Sequence, residues 1–203
     1  MKIICVGRNY SAHIEELKNE KPDTPIIFLK PETALVKHNE PVFHPEFTNE
    51  LHHEIEIVLR ICKEGKYIQA DFAENYFDAI GIGIDFTARD LQNKLKEKGL
   101  PWEISKAFNQ SAPVSEFLAK DKITDLQNID FKLTVNQQER QIGNSKSMIF
   151  SFAEIITYAS MFFTLKTGDL IFTGTPAGVK KVEIGDHLEG WMLGNKLLDF
   201  YIK

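Results

Sequence analysis

The chain has 203 residues, a formal net charge of −5, 43% hydrophobic and 26% charged residues; that is ordinary soluble composition with material for one core. The negative balance argues against a nucleic-acid or anionic-membrane partner, and no apolar stretch is long enough to span a bilayer. Its two cysteines, Cys5 and Cys62, form no CxxC pair and no disulfide framework, so buried, inert thiols and a reducing cytoplasm are expected.

In chain order, a short apolar run ends in Gly7-Arg8-Asn9. If the next segment is helical, His13 and Glu16 lie three apart on one face. A carboxylate beside an imidazole orients it and raises its basicity, as activation of water requires; an exposed helical turn is the plainer reading. Residues 21–25 make a turn-rich loop before a short strand at 26–29. Residues 51–61 read as one strand, with Ile55, Ile57, Leu59 and Ile61 on one face and Glu54, Glu56, Val58 and Arg60 on the other. Glu54 and Glu56 then have Cβ atoms about 6.5–7 Å apart. Two carboxylates so close repel unless something positive lies between them; a solvated strand face is the alternative. His52 shares their parity, as a hydrogen-bonding neighbour or a fourth ligand.

Residues 72–79 have helical character. Residues 79–85 form an apolar strand with Gly81 and Gly83 on one face, where another backbone or a ligand comes close. Asp85 ends this run, where an acid is out of place unless it caps or binds something. Three carboxylates on or beside strands suit a hard divalent cation, Mg²⁺ or Mn²⁺. Thr87 is placed to cap a helix running to about residue 98, with Gly99 as its stop. Lys106, flanked by apolar residues, either neutralises a developing oxyanion or snorkels to solvent. Residues 131–135 and 138–142 pair as a hairpin about Asn136-Gln137. Ser151 and Glu154 make a capping box, with Phe150 and Ile155 as its staple, for a helix to about residue 163. After a strand at 170–173, Thr173-Gly174-Thr175-Pro176 offers hydroxyls and a backbone N–H to a carboxylate, or makes an ordinary turn. The chain ends in strands joined at Gly194-Asn195. Short strands with two or three helices give a mixed, β-dominated α+β class.

Taken as an ordered set, several of these segments resemble the fumarylacetoacetate hydrolase family. They are Gly7-Arg8-Asn9-Tyr10 with His13 and Glu16, Phe28-Leu29-Lys30-Pro31, His53-Glu54-Ile55-Glu56, Asp85-Phe86-Thr87-Ala88-Arg89-Asp90-Leu91-Gln92, Gly99-Leu100-Pro101-Trp102 with Lys106, and Thr173-Gly174-Thr175-Pro176-Ala177-Gly178-Val179. The Thr-Ala-Arg-Asp and Gly-Leu-Pro-Trp segments are most similar to the acylpyruvase and oxaloacetate decarboxylase branch. The resemblance implies one catalytic domain over residues 1–203, with residues 1–20 as a lid segment, a mixed, rolled sheet with a few short helices, and a homodimer. It implies Mg²⁺ or Mn²⁺ on Glu54, Glu56 and Asp85, a water-activating dyad of His13 and Glu16, and Lys106 as oxyanion partner. It also implies that Arg8, Arg89, Gln92 and Thr175 hold the substrate, a small 2-oxo acid. The expected reaction is hydrolytic C–C cleavage of small acylpyruvates to pyruvate and a carboxylic acid. Oxaloacetate decarboxylation, or isomerisation or hydration of a 2-oxo acid, are the alternatives.

Overall fold

The chain's apolar runs are of two kinds, and each dictates a different strand environment. Continuous runs such as Ile3–Gly7 and Phe77–Ile84 are buried on both faces along nearly their whole length. The alternating run His187–Met192 buries every second residue. The structure, a computed structural model, describes residues 1–16 and 20–203, and sorts these runs into two main sheets.

A six-stranded sheet has the order Ile26–Lys30, Ile3–Gly7, Leu170–Phe172, Ile55–Ile61, Phe77–Ile84, Leu118–Ala119. All its pairings are antiparallel except that of Ile3–Gly7 with Leu170–Phe172. A four-stranded antiparallel sheet runs Gln138–Asn144, Asp130–Val135, His187–Met192, Asn195–Tyr201. The sheets meet over one apolar cluster that includes Ile57, Ile82, Leu133, Leu188 and Phe200. They approach closely where a Cβ on Gly190 would lie 2.9 Å from Ile82 Cδ1, so a side chain there would push the layers apart. Asn136 and Gln137 both take positive φ in the hairpin turn, at 52° and 65°, as a two-residue turn matched to strand twist requires. The helix Phe152–Phe162 begins with the expected capping box of Ser151 and Glu154 and buries Ile155, Ile156 and Ala159.

Local structure departs from the sequence expectations at four places. The expected strand 51–61 is two strands: Leu51–His53 belongs to a three-stranded sheet with Thr87–Ala88 and Lys180–Lys181, whereas Ile55–Ile61 belongs to the six-stranded sheet. Glu54 is the break between them. Its acidic parity does not face solvent, since Ile55–Ile61 is buried throughout except at Arg60. The expected helix at 72–79 closes after one α-turn, Ala70–Ala73, and one 3₁₀ turn, Glu74–Tyr76; Phe77 already pairs in a strand. Thr87 is a strand residue rather than a cap, and the helix Arg89–Glu97 starts after Ala88 without a side-chain cap; Gly99, with φ +63°, does follow its end. Gly81 and Gly83 are approached closely by another backbone, as expected: added Cβ atoms would lie 3.3 Å from the Glu116 carbonyl oxygen and 3.0 Å from that of Pro113, besides 2.8 Å from Ser115 Oγ and 2.6 Å from the Phe172 ring. Cys5 is buried, but Cys62 only partly so.

Candidate active site

The register of Ile55–Ile61 against Phe77–Ile84 places Ile55 opposite Ile84. Glu54 and Asp85, the residues just beyond that pair, therefore meet: the Asp85 N–H donates to the Glu54 carbonyl at 2.8 Å. Glu56 leaves the same strand two residues on, as side-chain alternation demands. Glu54, Glu56 and Asp85 are all buried, and each offers an oxygen within 4.8 Å of the others.

Three buried carboxylates need compensation. Lys106 Nζ donates to Glu54 Oε2 at 2.8 Å and Asp85 Oδ2 at 2.6 Å. Arg89 pairs with Glu54 Oε1, and Lys30 Nζ lies 2.8 Å from Asp85 Oδ1, outside hydrogen-bond geometry. Burial opposes ionisation of Glu54, but Lys106 and Arg89 outweigh it and hold the carboxyl well below its usual range. Glu56 has no ion-pair partner among the described residues. Burial, then the charges of Asp85 and Glu54, push its pKa well above normal, and the Gly174 N–H at 2.7 Å only partly opposes them. A divalent cation among the three would supply the charge Glu56 lacks, and an all-oxygen donor set fits Mg²⁺ or Mn²⁺.

Lys30 is the member that local sequence does not reveal, beyond its place in Phe28-Leu29-Lys30-Pro31. It is wholly buried and donates to the Ser111 carbonyl and hydroxyl at 3.0 Å, and to the Lys106 carbonyl. It thereby fixes the backbone that carries Lys106 while facing Asp85.

The helix Arg89–Glu97 presents Arg89, Gln92 and Lys96 to one cavity, since positions i, i+3 and i+7 share a helix face. Arg89 donates to Gln92 Oε1 at 2.6 Å. Lys96, absent from the sequence expectations although its spacing matches, lies with its ammonium 5.3 Å from the Trp102 ring centroid. Burial and the neighbouring Arg89 and Arg8 lower its pKa to about 8.

On the opposite side of the sequence, His13 and Glu16 lie on the short helix Ser11–Glu16, as the spacing predicts. His13 Nδ1 is 3.3 Å from Glu16 Oε2. A carboxylate only accepts, so Nδ1 carries the hydrogen and Nε2 is left as proton acceptor. Burial lowers the His13 pKa from 6.5, with Glu54 and Glu16 opposing, so the ring is a neutral base near pH 7. The Gly178 N–H donates to both Glu16 oxygens, at 3.0 and 3.2 Å. Residues 17–19 of the expected lid segment lie outside the described residues.

The loop after Leu170–Phe172 continues along Ile55–Ile61 through hydroxyls. Thr173 Oγ1 donates to the Ile57 carbonyl at 2.9 Å and Thr175 Oγ1 to the Ile55 carbonyl at 2.8 Å. Thr175 Oγ1 also accepts from Gln141 Nε2 at 2.8 Å. Its one hydroxyl hydrogen is therefore committed, and only a lone pair is left for a ligand; a donor to a substrate carboxylate from this residue has to be its backbone N–H. Gln141 is a further residue that sequence reasoning passes over. Its oxygen accepts from the Ile55 N–H at 3.0 Å and from His53 Nδ1 at 2.9 Å, and its nitrogen also reaches the Pro176 carbonyl at 2.8 Å. His52 binds Glu50 at 3.1 Å and is no part of the carboxylate group.

Arg8, His13, Glu54, Glu56, Asp85, Arg89, Gln92, Lys106 and Thr175 all line one cavity. Glu16 stands behind His13. The fold and the site thus define a carboxylate-lined pocket with a proton-accepting histidine and an excess of nearby cations.

The chain is similar to known proteins. Residues 2–197 match the model of the fumarylacetoacetate (FAA) hydrolase C-terminal family. The mitochondrial oxaloacetate tautomerase of Bos taurus is 41% identical over 99% of this chain and 91% of its own length. The mitochondrial oxaloacetate decarboxylase of Dictyostelium discoideum is 41% identical over 95% of this chain and 89% of its own. The crystal structure of fumarylpyruvate hydrolase from Pseudomonas aeruginosa, in complex with Mn²⁺ and pyruvate, matches at 37% identity with a TM-score of 0.95, covering 100% of this chain and 89% of that one. The chain belongs to the fumarylacetoacetate hydrolase family and is an enzyme of that family, with its mixed, strand-dominated α+β fold.

Proposed function

We propose that this enzyme uses a divalent cation to interconvert the keto and enol forms of oxaloacetate, and to decarboxylate it. The observation that carries this reading is the buried triad of Glu54, Glu56 and Asp85, in which Glu56 has no ion-pair partner among the described residues. The relatives named for oxaloacetate chemistry, similar over nearly the whole chain, support that substrate. When bound, Mg²⁺ or Mn²⁺ supplies Lewis-acid polarisation of the 2-oxo group.

The chain's own groups do the rest. His13 Nε2 takes a proton from C3, the C–H electron pair forms the C2=C3 double bond, the carbonyl π pair moves to the 2-oxo oxygen, and return of the proton from the imidazolium to that oxygen gives the enol. Glu16 holds the ring's Nδ1–H and steadies the imidazolium. Lys106 balances the negative charge that develops on the oxo oxygens. Decarboxylation breaks the C3–C4 bond; CO₂ leaves, and the electron pair stays on a pyruvate enolate that is then protonated at C3.

Hydrolysis of acylpyruvates is the second reading, favoured by the His13–Glu16 pair. His13 would take the proton from water as hydroxide adds to the distal carbonyl, and Lys106 would face the oxyanion. The test is to offer oxaloacetate and acetylpyruvate with Mg²⁺ and with Mn²⁺, identifying products by NMR. Loss of enol absorbance and CO₂ release support the first reading; acetate plus pyruvate from acetylpyruvate supports the second. Unimpaired turnover in metal-stripped protein in EDTA would rule out both.

We also propose a homodimer in the cytoplasm. A hollow of about 910 Å³ beside the site is lined by Leu29, Pro31, Phe47, Leu91, Ile104 and Phe108 among others, and Phe47 and Ile104 stand exposed. Apolar hollows of this kind mark interfaces. No helix among the described residues is long and apolar enough to cross a membrane.

A further inference from the structure

The pocket holds more positive charge than its carboxylates use. Its ion pairs join Lys30 to Asp85, Arg89 to Glu54, and Lys106 to both acids. Arg8 and Lys96 line the same cavity and belong to no ion pair among the described residues. Arg8 is held in the left-handed region, φ +60°, between the strand Ile3–Gly7 and the buried Asn9. Asn9 is itself fastened by Nδ2 to the Thr173 and Phe150 carbonyls, at 2.7 and 3.0 Å. Lys96 shares its helix face with Arg89 and Gln92, and packs its ammonium over Trp102.

A cation pressed against other cations costs free energy unless an anion joins it. The neighbours that depress the Lys96 pKa after burial are Arg89, Arg8 and Lys106, with Glu54 opposing. The metal site and Lys106 account for the oxo-acid end of a substrate. They leave Arg8 and Lys96 for its other end.

We propose that Lys96, with Arg8, holds the second carboxylate of a 2-oxo dicarboxylic acid, and so selects dicarboxylates over acylpyruvates with an uncharged tail. The inference rests on the oxo-acid reading above and adds the chemistry of the tail. Lys96 is here a specificity-determining residue, whose ammonium pairs with the substrate without taking part in proton transfer. Arg in its place keeps the charge; Met keeps the aliphatic stem over Trp102 and removes it.

The experiment compares wild type, Lys96→Met and Lys96→Arg in metal-loaded enzyme, with oxaloacetate and acetylpyruvate as substrates. Lys96→Met lowers kcat/KM for oxaloacetate at least tenfold, chiefly through KM, and changes that for acetylpyruvate less than twofold. Lys96→Arg restores most of the loss. An equal fall for both substrates, or no change for either, overturns the proposal. A binding arm separates this failure from failure of the oxo-acid reading: tryptophan fluorescence is titrated with oxaloacetate and with pyruvate. Wild type prefers oxaloacetate, and Lys96→Met abolishes the preference. If wild type turns over neither substrate, the oxo-acid reading falls. A preference for oxaloacetate that survives Lys96→Met then overturns the role of Lys96 independently.

Discussion

Among the described residues the buried Glu56 carboxyl meets only a backbone N–H, whereas Glu54 and Asp85 are each met by lysine or arginine. The three therefore respond differently to substitution. Glu54→Ala or Asp85→Ala removes an oxygen ligand and leaves buried cations unpaired, so titration calorimetry with Mn²⁺ shows no binding at concentrations that saturate wild type, and turnover is lost. Retained heat of binding would count against the metal assignment. Glu56→Gln keeps the shape, relieves the like-charge crowding and weakens Mn²⁺ at least tenfold, with no loss of stability. At His13 the sign of the pH effect follows from burial. Its folded pKa lies below 6.5, so the base form persists as pH falls past 6.5, and kcat/KM declines only at more acid pH. Glu16 raises that pKa; Glu16→Gln therefore moves the acid limb to lower pH still, and reduces the plateau rate. A pH–rate profile checks both, and a limb moving upward in Glu16→Gln would contradict the assigned pair. The same depression means that the unfolded chain takes up this proton first on acidification, so this part of the stability is present above 6.5 and is lost as pH falls toward the folded pKa.

Elements hold these residues through few, well-used polar links. The hairpin strand Gln138–Asn144 reaches the site through Gln141, which ties His53, the Ile55 N–H, Thr175 and Pro176 together. Its amide is oriented by partners that can only donate or only accept, the Ile55 N–H and the Pro176 carbonyl. Gln141→Leu orphans both, at about 1–3 kcal/mol for each buried group, and removes the donor to the Thr175 hydroxyl oxygen, which keeps its own bond to the Ile55 carbonyl. Urea unfolding should show the loss of stability, and KM should rise because the Thr175 wall is no longer fixed. Wild-type stability in that variant would mean that water replaces the amide. By contrast, Ser151→Ala removes a capping box whose two residues do not line the pocket and should cost about 1 kcal/mol with unchanged kinetics. The capping box, the hairpin turn and the Gly99 stop are all legible in sequence because each is a local rule satisfied by neighbouring residues. The break at Glu54 is not, because two sheets compete for one continuous apolar run and only long-range pairing decides between them. Phe77 likewise leaves its helical pattern to pair with Ile61.

At the scale of the molecule, the core places the pocket where the ends of Ile55–Ile61 and Phe77–Ile84 meet the loop after Leu170–Phe172. One side of that region carries the apolar hollow with exposed Phe47 and Ile104. If a second copy covers it, Ile104→Glu puts a charge into an apolar contact, and sedimentation equilibrium should show a shift from dimer to monomer. A wild-type monomer, or an undisturbed Ile104→Glu dimer, would place the interface elsewhere or remove it.

The sequence by itself determined the class of fold, the local stops and caps, and the ordered motifs that carry Glu54, Glu56, Asp85, His13, Glu16 and Lys106, since spacing and residue chemistry are written in the chain. Only the tertiary structure decided that Lys30 faces Asp85, that Gln141 locks the Thr175 hydroxyl, and that Arg8 and Lys96 share a cavity with no ion-pair partner among the described residues. Those relations join residues tens of positions apart, and whether a charge is balanced depends on what the fold brings beside it, which no local pattern records.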